Sequence, residues 1–300
     1  MHHPTRPHRP ALVTTALLAA GLLSACAALD RVPEGPPRKD SVVAVTASNQ
    51  LLRFNAGQPG RILSRTPLTG LQAGETVLDI DYRIVKGQLY ALGSSGRLYR
   101  VNADSGVASV VGAPIPVLLS NGRVGIDFNP TVDRLRVVAA SGLNLRLHPD
   151  TGAMVDGNAT LEGAQTDSAL NYAAGDANAG KAATVVAAAY SYNKDDEKIT
   201  TNYAIDAALG LLVMQGSLEG TKPVVSPNTG QLRTIGALGA GGFKEASFDI
   251  ADVSGAAYAA LGSGNGAASR WVEIDLKTGA AKPLGAIGGG EPVRGIAIEP

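Results

Sequence analysis

The chain has 300 residues, of which 45% are apolar and 17% charged, and its 26 basic and 26 acidic side chains give a formal net charge of zero. A protein that binds nucleic acid through a basic surface is therefore not expected, and the apolar content is typical of a folded domain. The single cysteine excludes an intramolecular disulfide and a cysteine-based zinc site.

The N-terminal segment has the pattern of a lipoprotein signal peptide. Arg6 and Arg9 precede an apolar run, 11–23, which is too short to span a bilayer. Small residues then lead to Cys26, as in the lipobox at which bacterial lipoproteins are cleaved and lipidated. We therefore expect residues 1–25 to be removed and Cys26 to carry the lipid. The alternative is a plain secretory signal with an incidental cysteine.

The residues after the cysteine predict a tether and a location. Residues 26–41 contain the lipidated Cys26 and several prolines, so we expect a flexible spacer that holds a single domain, 42–300, off the membrane. Ala27 follows the cysteine, and by resemblance to lipoprotein sorting rules a residue other than Asp there favours the outer membrane. The expected location is the cell envelope, at the outer membrane, facing the periplasm or the cell surface.

Two spacings repeat along residues 42–300. A strand that carries a carboxylate is followed nine residues later by a second strand, with the pairs Asp81 and Tyr90, Asp127 and Arg136, and Asp249 and Tyr258. A polar residue also stands four before a turn glycine, in the pairs Asn102 and Gly106, His148 and Gly152, Asp206 and Gly210, and Asp275 and Gly279. Short strands broken by turn residues at this spacing predict an all-β fold.

The repeat predicts a β-propeller. Asp81 and Asp127 are separated by about the length of a four-stranded blade. The C-terminal segment 293–300 is typical of the first strand of a blade and 42–69 of its later strands, so the two ends are expected to share the closing blade. This gives five four-stranded blades, near 77–113, 124–157, 184–237, 245–284, and 293–300 with 42–69. A sixth blade remains open if 158–182 contains strands, and a β-sandwich explains the spacing but not the ends.

A polar stretch departs from the repeat in the second blade. Arg136 stands where the sibling blades carry tyrosine, and such departures often mark function. We consider a site that binds a carboxylate, phosphate or sulfate through arginines, and an Arg–Asp network neutralised by Asp127 and Asp133, which we favour because buried charges need partners. The residues of this candidate network are Asp127, Asn129, Asp133, Arg134, Arg136, Asn144 and Arg146.

The strand carboxylates form a second candidate. Asp81, Asp127 and Asp249 fall on first strands, which are innermost in a propeller, so they can converge near the channel. Carboxylate oxygens suit calcium or magnesium, and a metal-dependent hydrolase or lactonase would use such a site. The alternative, which we favour, is that each aspartate accepts backbone N–H bonds, because the position repeats in every such blade.

Three further patterns do not predict chemistry. Residues 175–182 resemble a P-loop, but position 182 is Ala182 instead of a hydroxyl residue and a strand follows. A transition-metal site lacks ligands, since only His148 remains after cleavage. His148 itself occupies a turn position, which argues against a catalytic triad.

The stretch from Gly125 to Gly152 carries a family resemblance. Its residues 127–130, 133–136 and 144–146, with weaker matches at 189–190, 202–206, 227–230 and 248–250, resemble a bacterial family defined by domain of unknown function 4394. The resemblance covers roughly 42–300. It implies a secreted or surface propeller-like fold and implies no activity.

The expected function is that of a lipid-anchored, extracytoplasmic binding or scaffold module, and catalysis is not expected. Flat propeller faces with variable loops suit contact with an envelope protein or glycan. We expect a monomer that touches the membrane only through its lipid, binds no nucleic acid and needs no cofactor. The alternative is a calcium-dependent hydrolase or lactonase-like enzyme that uses the inner carboxylates.

Overall fold

The computed structural model describes residues 1–2, 35–117, 119 and 123–300. The predicted lipidation site Cys26, most of the signal peptide and part of the tether lie outside the described residues. The described residues from 35 to 300 belong to one compact unit. In the described part of the chain, no helix is long and apolar enough to cross a membrane.

The described residues contain twenty strands and two short 3-10 turns, Ile84–Lys86 and Pro227–Thr229. The first ten strands are β1 Ser41–Thr46, β2 Gln50–Asn55, β3 Ile62–Pro67, β4 Val77–Arg83, β5 Gln88–Gly93, β6 Leu98–Val101, β7 Ala108–Val111, β8 Val124–Asn129, β9 Arg134–Ala139 and β10 Asn144–Leu147. The second ten are β11 Asn171–Tyr172, β12 Val185–Tyr190, β13 Asn202–Asp206, β14 Leu211–Gln215, β15 Gln231–Ala237, β16 Glu245–Ile250, β17 Ala257–Gly262, β18 Arg270–Ile274, β19 Ala281–Ala286 and β20 Val293–Ile298.

The strands form five sheets in a closed ring, so the predicted five-bladed propeller is confirmed. In chain order, blade 1 contains β4–β7, blade 2 contains β8–β10, blade 3 contains β11–β15 and blade 4 contains β16–β19. The inner strands contact one another around the ring in the order β4, β8, β12, β16 and β20, and β20 returns to β4.

The closing blade joins the two ends of the domain. Strand β20 lies at its inner edge and pairs antiparallel with β1, so that Val42 is opposite Ile298 and Ala44 is opposite Ile296. Strands β2 and β3 complete this sheet. The predicted sharing of one blade by the two terminal segments is therefore confirmed, and it leaves no open seam in the ring.

Two blades differ from the predicted four strands. Blade 2 has three, because the chain after β10 turns away and keeps only an isolated bridge between Leu147 and Met154. Blade 3 has five, because β11 adds in parallel to the outer strand β15. Residues 158–182 contain only this two-residue strand, so no sixth blade forms there. Most of that segment lacks the apolar alternation that a half-buried strand needs.

The core lies between the blades and is mostly aliphatic, as the few aromatic residues required. Trp271 is fully buried and is the largest side chain there. It stacks on Tyr258 at 5.3 Å between ring centroids and meets the edge of Phe54 at 5.2 Å, which joins blade 4 to the closing blade. The predicted turn at Gly106 has a positive φ of 71°, and the Gly106 N–H donates to the Asn102 carbonyl.

Candidate functional site

Three aspartates from three blades converge at the centre of the ring. Asp81 on β4, Asp127 on β8 and Asp249 on β16 each bring a carboxylate oxygen to within 4.8 Å of the others. Strands β4 and β16 are not neighbours in the ring, so their side chains meet only by pointing at its axis. The three residues are 4%, 1% and 5% exposed. We call them the axial aspartates.

The same carboxylates tie neighbouring blades together. Asp81 Oδ2 accepts the N–H of Phe128 on β8 at 2.6 Å, and Asp127 Oδ1 accepts that of Tyr190 on β12 at 3.1 Å. Asp249 Oδ2 accepts the N–H of Ile298 on β20 at 2.6 Å. Each aspartate therefore satisfies a backbone donor on the next inner strand. The sequence analysis treated hydrogen bonding to the backbone and convergence at the channel as alternatives, but the same three side chains do both.

A second layer of side chains, two residues earlier on the inner strands, forms the same kind of hydrogen bond between blades. Asp79 accepts the N–H of Ile126 at 2.9 Å, and the Ser247 hydroxyl accepts that of Ile296 at 2.8 Å. The Ser247 hydroxyl in turn donates to Asp79 Oδ1 at 2.8 Å. Gly125 occupies the matching place on β8, where an added Cβ would meet the Ala187 Cα at 2.5 Å.

Asp127 differs from the other two axial aspartates. Asp81 and Asp249 each also accept the N–H of the residue that follows them, at 2.7 and 2.6 Å. The residue after Asp127 is Phe128, whose N–H is already given to Asp81. Asp127 Oδ2 consequently accepts no hydrogen bond from the described residues, although its side chain is buried.

Burial sets the protonation of the axial aspartates. Removal from water raises the pKa of Asp81 and of Asp127 well above the usual range, and the negative charges of their neighbours add to this. Burial also raises the pKa of Asp249 to about 6. None of the ion pairs among the described residues includes an axial aspartate. Three acids without a base favour either bound protons or a bound cation.

Tyr192 lies near this cluster. Burial raises the pKa of the Tyr192 phenol, and the charges of Asp127, Asp81 and Asp249 raise it further. The phenol is therefore neutral and lies within electrostatic reach of all three carboxylates. Sequence reasoning did not identify Tyr192, because it follows the end of β12 and repeats in no other blade.

The polar network that the sequence predicted in blade 2 forms around Arg136, which is 1% exposed. Its Nε donates to the Tyr190 hydroxyl at 2.7 Å, and its Nη2 donates to Asn228 Oδ1 at 2.6 Å. Its Nη1 donates to Asn144 Oδ1 and to Asp167 Oδ2. Every hydrogen-bonding nitrogen of the guanidinium thus has a partner, which a buried charge requires.

The acid that neutralises this network is Asp167. Arg146 grips the Asp167 carboxylate with two bonds, from Nε at 2.8 Å and from Nη2 at 2.7 Å, and Arg136 shares the same carboxylate at 3.1 Å. The sequence paired these arginines with Asp127 and Asp133. In the structure Asp127 belongs to the axial aspartates, and Asp133 pairs with Arg83 at 2.8 Å. Asp167 carried no sequence signal, since it lies in the irregular segment after blade 2.

The remaining predicted residues have separate tasks. Asn144 is buried, and its amide donates to the carbonyls of Ser168 and Pro227, which holds the segment after blade 2 against blade 3. Asn129 Oδ1 accepts the N–H and the hydroxyl of Thr131 and so closes the turn after β8. Within the described part of the chain, Arg134 donates only to the backbone carbonyls of Val132 and Asp133.

A cavity of about 370 Å³ opens beside this network, between blades 2 and 3. Its polar walls come from the arginines and from the blade 3 turn. The polar side chains that line it are Asn129, Arg134, Arg136, Arg146, Tyr190 and Asn228. The volume lies in the range of small-molecule sites. We call it the blade 2–3 cavity.

Five sheets around a central axis, with the two chain ends in one sheet, define a five-bladed β-propeller. The chain belongs to the DUF4394 family, a domain of unknown function, whose model matches residues 50–297. The match begins in β2 and ends in β20, so it includes strands of all five sheets. No curated protein matches the chain. The family that the sequence motifs resembled is thereby confirmed.

Proposed function

We propose that this protein is a lipid-anchored binding module of the cell envelope and that its ligand site is the blade 2–3 cavity. One observation carries the proposal. Arg134 lies at a cavity of small-molecule size, and the only described groups to which its guanidinium donates are backbone carbonyls. A cationic group that is held in place but not neutralised is available to a ligand.

The architecture supports binding rather than catalysis. The polar groups that line the cavity are hydrogen-bonding groups and arginines, and the nearby acid Asp167, whose side chain is 1% exposed, is occupied by two arginines. A general acid or base has to reach the reacting atoms, and Asp167 is already engaged. A rigid propeller that holds donors in fixed positions is suited to recognition, including that of a group carried by an envelope protein or glycan.

Blocking the cavity tests the proposal. The protein is the mature chain, 26–300, with Cys26→Ser to keep it free of lipid. Small molecules extracted from the envelope are added to this protein and to its Val155→Trp variant, which fills the cavity wall. After ultrafiltration, we expect the unblocked chain to retain certain components of the extract and the variant to retain none of them. The control is Val110→Trp on the outer strand β7, where the side chain is exposed. Equal retention by all three proteins contradicts the proposal.

The anchor and location are proposed from the sequence and have their own test. Cys26→Ser in the full chain should abolish lipid labelling and leave the signal peptide uncleaved, so that the protein runs at a higher mass on a gel. The matched control is Ser24→Ala, which keeps a small residue before the cysteine. Lipid labelling or normal cleavage of the Cys26→Ser chain contradicts the anchor. Separation of inner from outer membranes then tests the proposed outer-membrane location.

A second candidate is a calcium-dependent hydrolase, favoured by the geometry of the axial aspartates. Three carboxylate oxygens lie within 4.8 Å of one another, and Asp127 Oδ2 has no donor among the described residues. Calcium takes carboxylate oxygens at about 2.3–2.6 Å. Thermal unfolding with EDTA and with added calcium tests the site, because binding to the folded state raises the midpoint. An unchanged midpoint contradicts this candidate. A raised midpoint leads to assays with ester and lactone substrates.

A further inference from the structure

The donors in the blade 2–3 cavity point to the chemistry of its ligand. Asn129 Oδ1 accepts two bonds from Thr131, and Asn228 Oδ1 accepts the bond from Arg136. These contacts fix both amides with the oxygen turned to the protein. Their NH₂ groups have no acceptor among the described residues, so both present donors at the cavity.

The charged groups of the cavity favour the same kind of ligand as these donors, one that carries negatively charged acceptors. Arg134, Arg136 and Arg146 supply three positive charges, and Asp167 is the one carboxylate in the described part of the chain that forms an ion pair with any of them. All the nitrogens of the Arg136 guanidinium donate to groups within the protein. Arg134 Nη1, in contrast, donates to carbonyls, and Arg134 has no acidic partner among the described residues. Two positive charges therefore remain uncompensated, one shared by Arg136 and Arg146 around Asp167 and one at Arg134, on the cavity wall.

The rest of the cavity is apolar. Val132, Val155 and Pro227 line it together with the ring of Tyr190, whose hydroxyl is turned to Arg136. A strongly hydrated free ion such as sulfate would leave these surfaces without a partner. A ligand with a small apolar body covers them and places its polar group among the donors.

We propose that the blade 2–3 cavity binds a small organic carboxylate, with the carboxylate on Arg134 and the amides of Asn129 and Asn228 and the apolar body against Val132, Val155 and Pro227. This inference rests on the proposed function, since it names the ligand class of the same cavity. Arg134 is the residue that determines specificity for the charge, because a planar guanidinium matches a carboxylate with two donors.

Benzoate and benzamide are the matched probes, since they share the apolar ring and differ in the charge. The mature chain with Cys26→Ser is titrated with each, and binding is followed through the NMR methyl signals of Val132 and Val155. We expect benzoate to shift both signals in a saturable manner and benzamide to bind at least about tenfold more weakly.

Variants separate the charge from the fold. Arg134→Gln should weaken benzoate binding by about tenfold or more while leaving benzamide unchanged. Arg61→Gln removes the same charge from an exposed position and should bind benzoate as the unsubstituted chain does. Thermal midpoints of both variants check that the fold is kept, since neither arginine forms an ion pair with an acid that the structure describes.

The outcomes distinguish the two proposals. Equal binding of benzoate and benzamide, or full benzoate affinity in Arg134→Gln, overturns the carboxylate inference and leaves the cavity as a ligand site. Methyl signals that respond to neither probe at millimolar concentration overturn the inference and count against the cavity as the site.

Discussion

The backbone N–H of Phe128 donates to Asp81 Oδ2 on the neighbouring blade, at 2.6 Å, and not to Asp127, the residue that precedes it. This bond explains the uneven hydrogen bonding of the axial aspartates. An aspartate keeps the N–H of its own next residue only where the preceding inner strand carries no aspartate. β20 and β12 carry Ala297 and Ala189 at that position. Asp127 follows the blade of Asp81 and so loses this donor.

The first prediction concerns Asp249, both of whose oxygens accept backbone N–H bonds at 2.6 Å. Asp249→Asn puts an NH₂ group against one of these donors. We expect the free energy of unfolding to fall by about 1–3 kcal/mol, measured by urea denaturation. Asp195→Asn, at an exposed loop position, is the control and should stay within about 0.5 kcal/mol. An unchanged Asp249→Asn variant would show that the inter-blade bond contributes little.

The second prediction is a loss of stability with rising pH. Burial raises the pKa of Asp249 from 3.8 to about 6, so between these values the folded state binds more protons than the unfolded state. The free energy of unfolding therefore falls as pH rises through this window, by on the order of 3 kcal/mol. Asp81 and Asp127, whose pKa values are also raised, extend the loss to higher pH.

Urea midpoints at a series of pH values in EDTA measure this effect. Groups with lowered pKa values, such as Glu75 and Glu273, act in the opposite direction and matter only below about pH 4.5. Asp249→Asn should flatten the part of the curve that Asp249 contributes. A midpoint that is constant or rises between pH 4.5 and 7 would rule out this protonation of the cluster.

The third prediction concerns the close approach of β8 and β12. Gly125→Ala would place a Cβ 2.5 Å from the Ala187 Cα, and backbone cannot move aside as a flexible side chain can. We expect a loss of about 1–3 kcal/mol from overpacking. Gly242→Ala is the matched control, because its Cβ would meet nothing within 4 Å. Equal stability of the two variants, measured by urea denaturation, contradicts the prediction.

The fourth prediction contrasts two arginines that stand two residues apart on β9. Arg136→Leu removes one of the two arginines that hold the buried Asp167 and the bonds that Arg136 donates to Asn144 and Asn228, so we expect a loss of about 1–3 kcal/mol. Arg134→Gln removes only bonds to carbonyls and should stay within about 0.5 kcal/mol. Thermal and urea unfolding of both variants provide the comparison. Similar losses would mean that Arg134 has a structural role.

The ring itself could be predicted from the sequence because its signals are local. The spacing of Asp81, Asp127 and Asp249 reports a repeated strand pair, and the incomplete units at the two ends require each other. The strand count of each blade was less predictable. The outer strands are exposed and short, so the apolar pattern that marks an inner strand such as β12 fades in them.

The candidate sites were predicted by residue but not by partner. Side-chain alternation places Arg134 and Arg136 on one face of β9, yet it does not reveal that Arg136 is fully bonded and Arg134 is not. The decisive partner, Asp167, arrives on an irregular segment whose path depends on contacts such as that of Asn144 with the Ser168 carbonyl. Contacts of this kind have no periodic signal in the sequence.

The pairing of β20 with β1 also sets the order in which a newly made chain can mature. β1 leaves the ribosome well before its inner neighbour β20, which lies far downstream in the chain. Until β20 arrives, a nascent chain carries an unfilled slot between β1 and β4, with strand edges that another nascent chain can occupy. Contacts between such distant segments form slowly, so the rate of ring closure governs how long each copy stays vulnerable to aggregation.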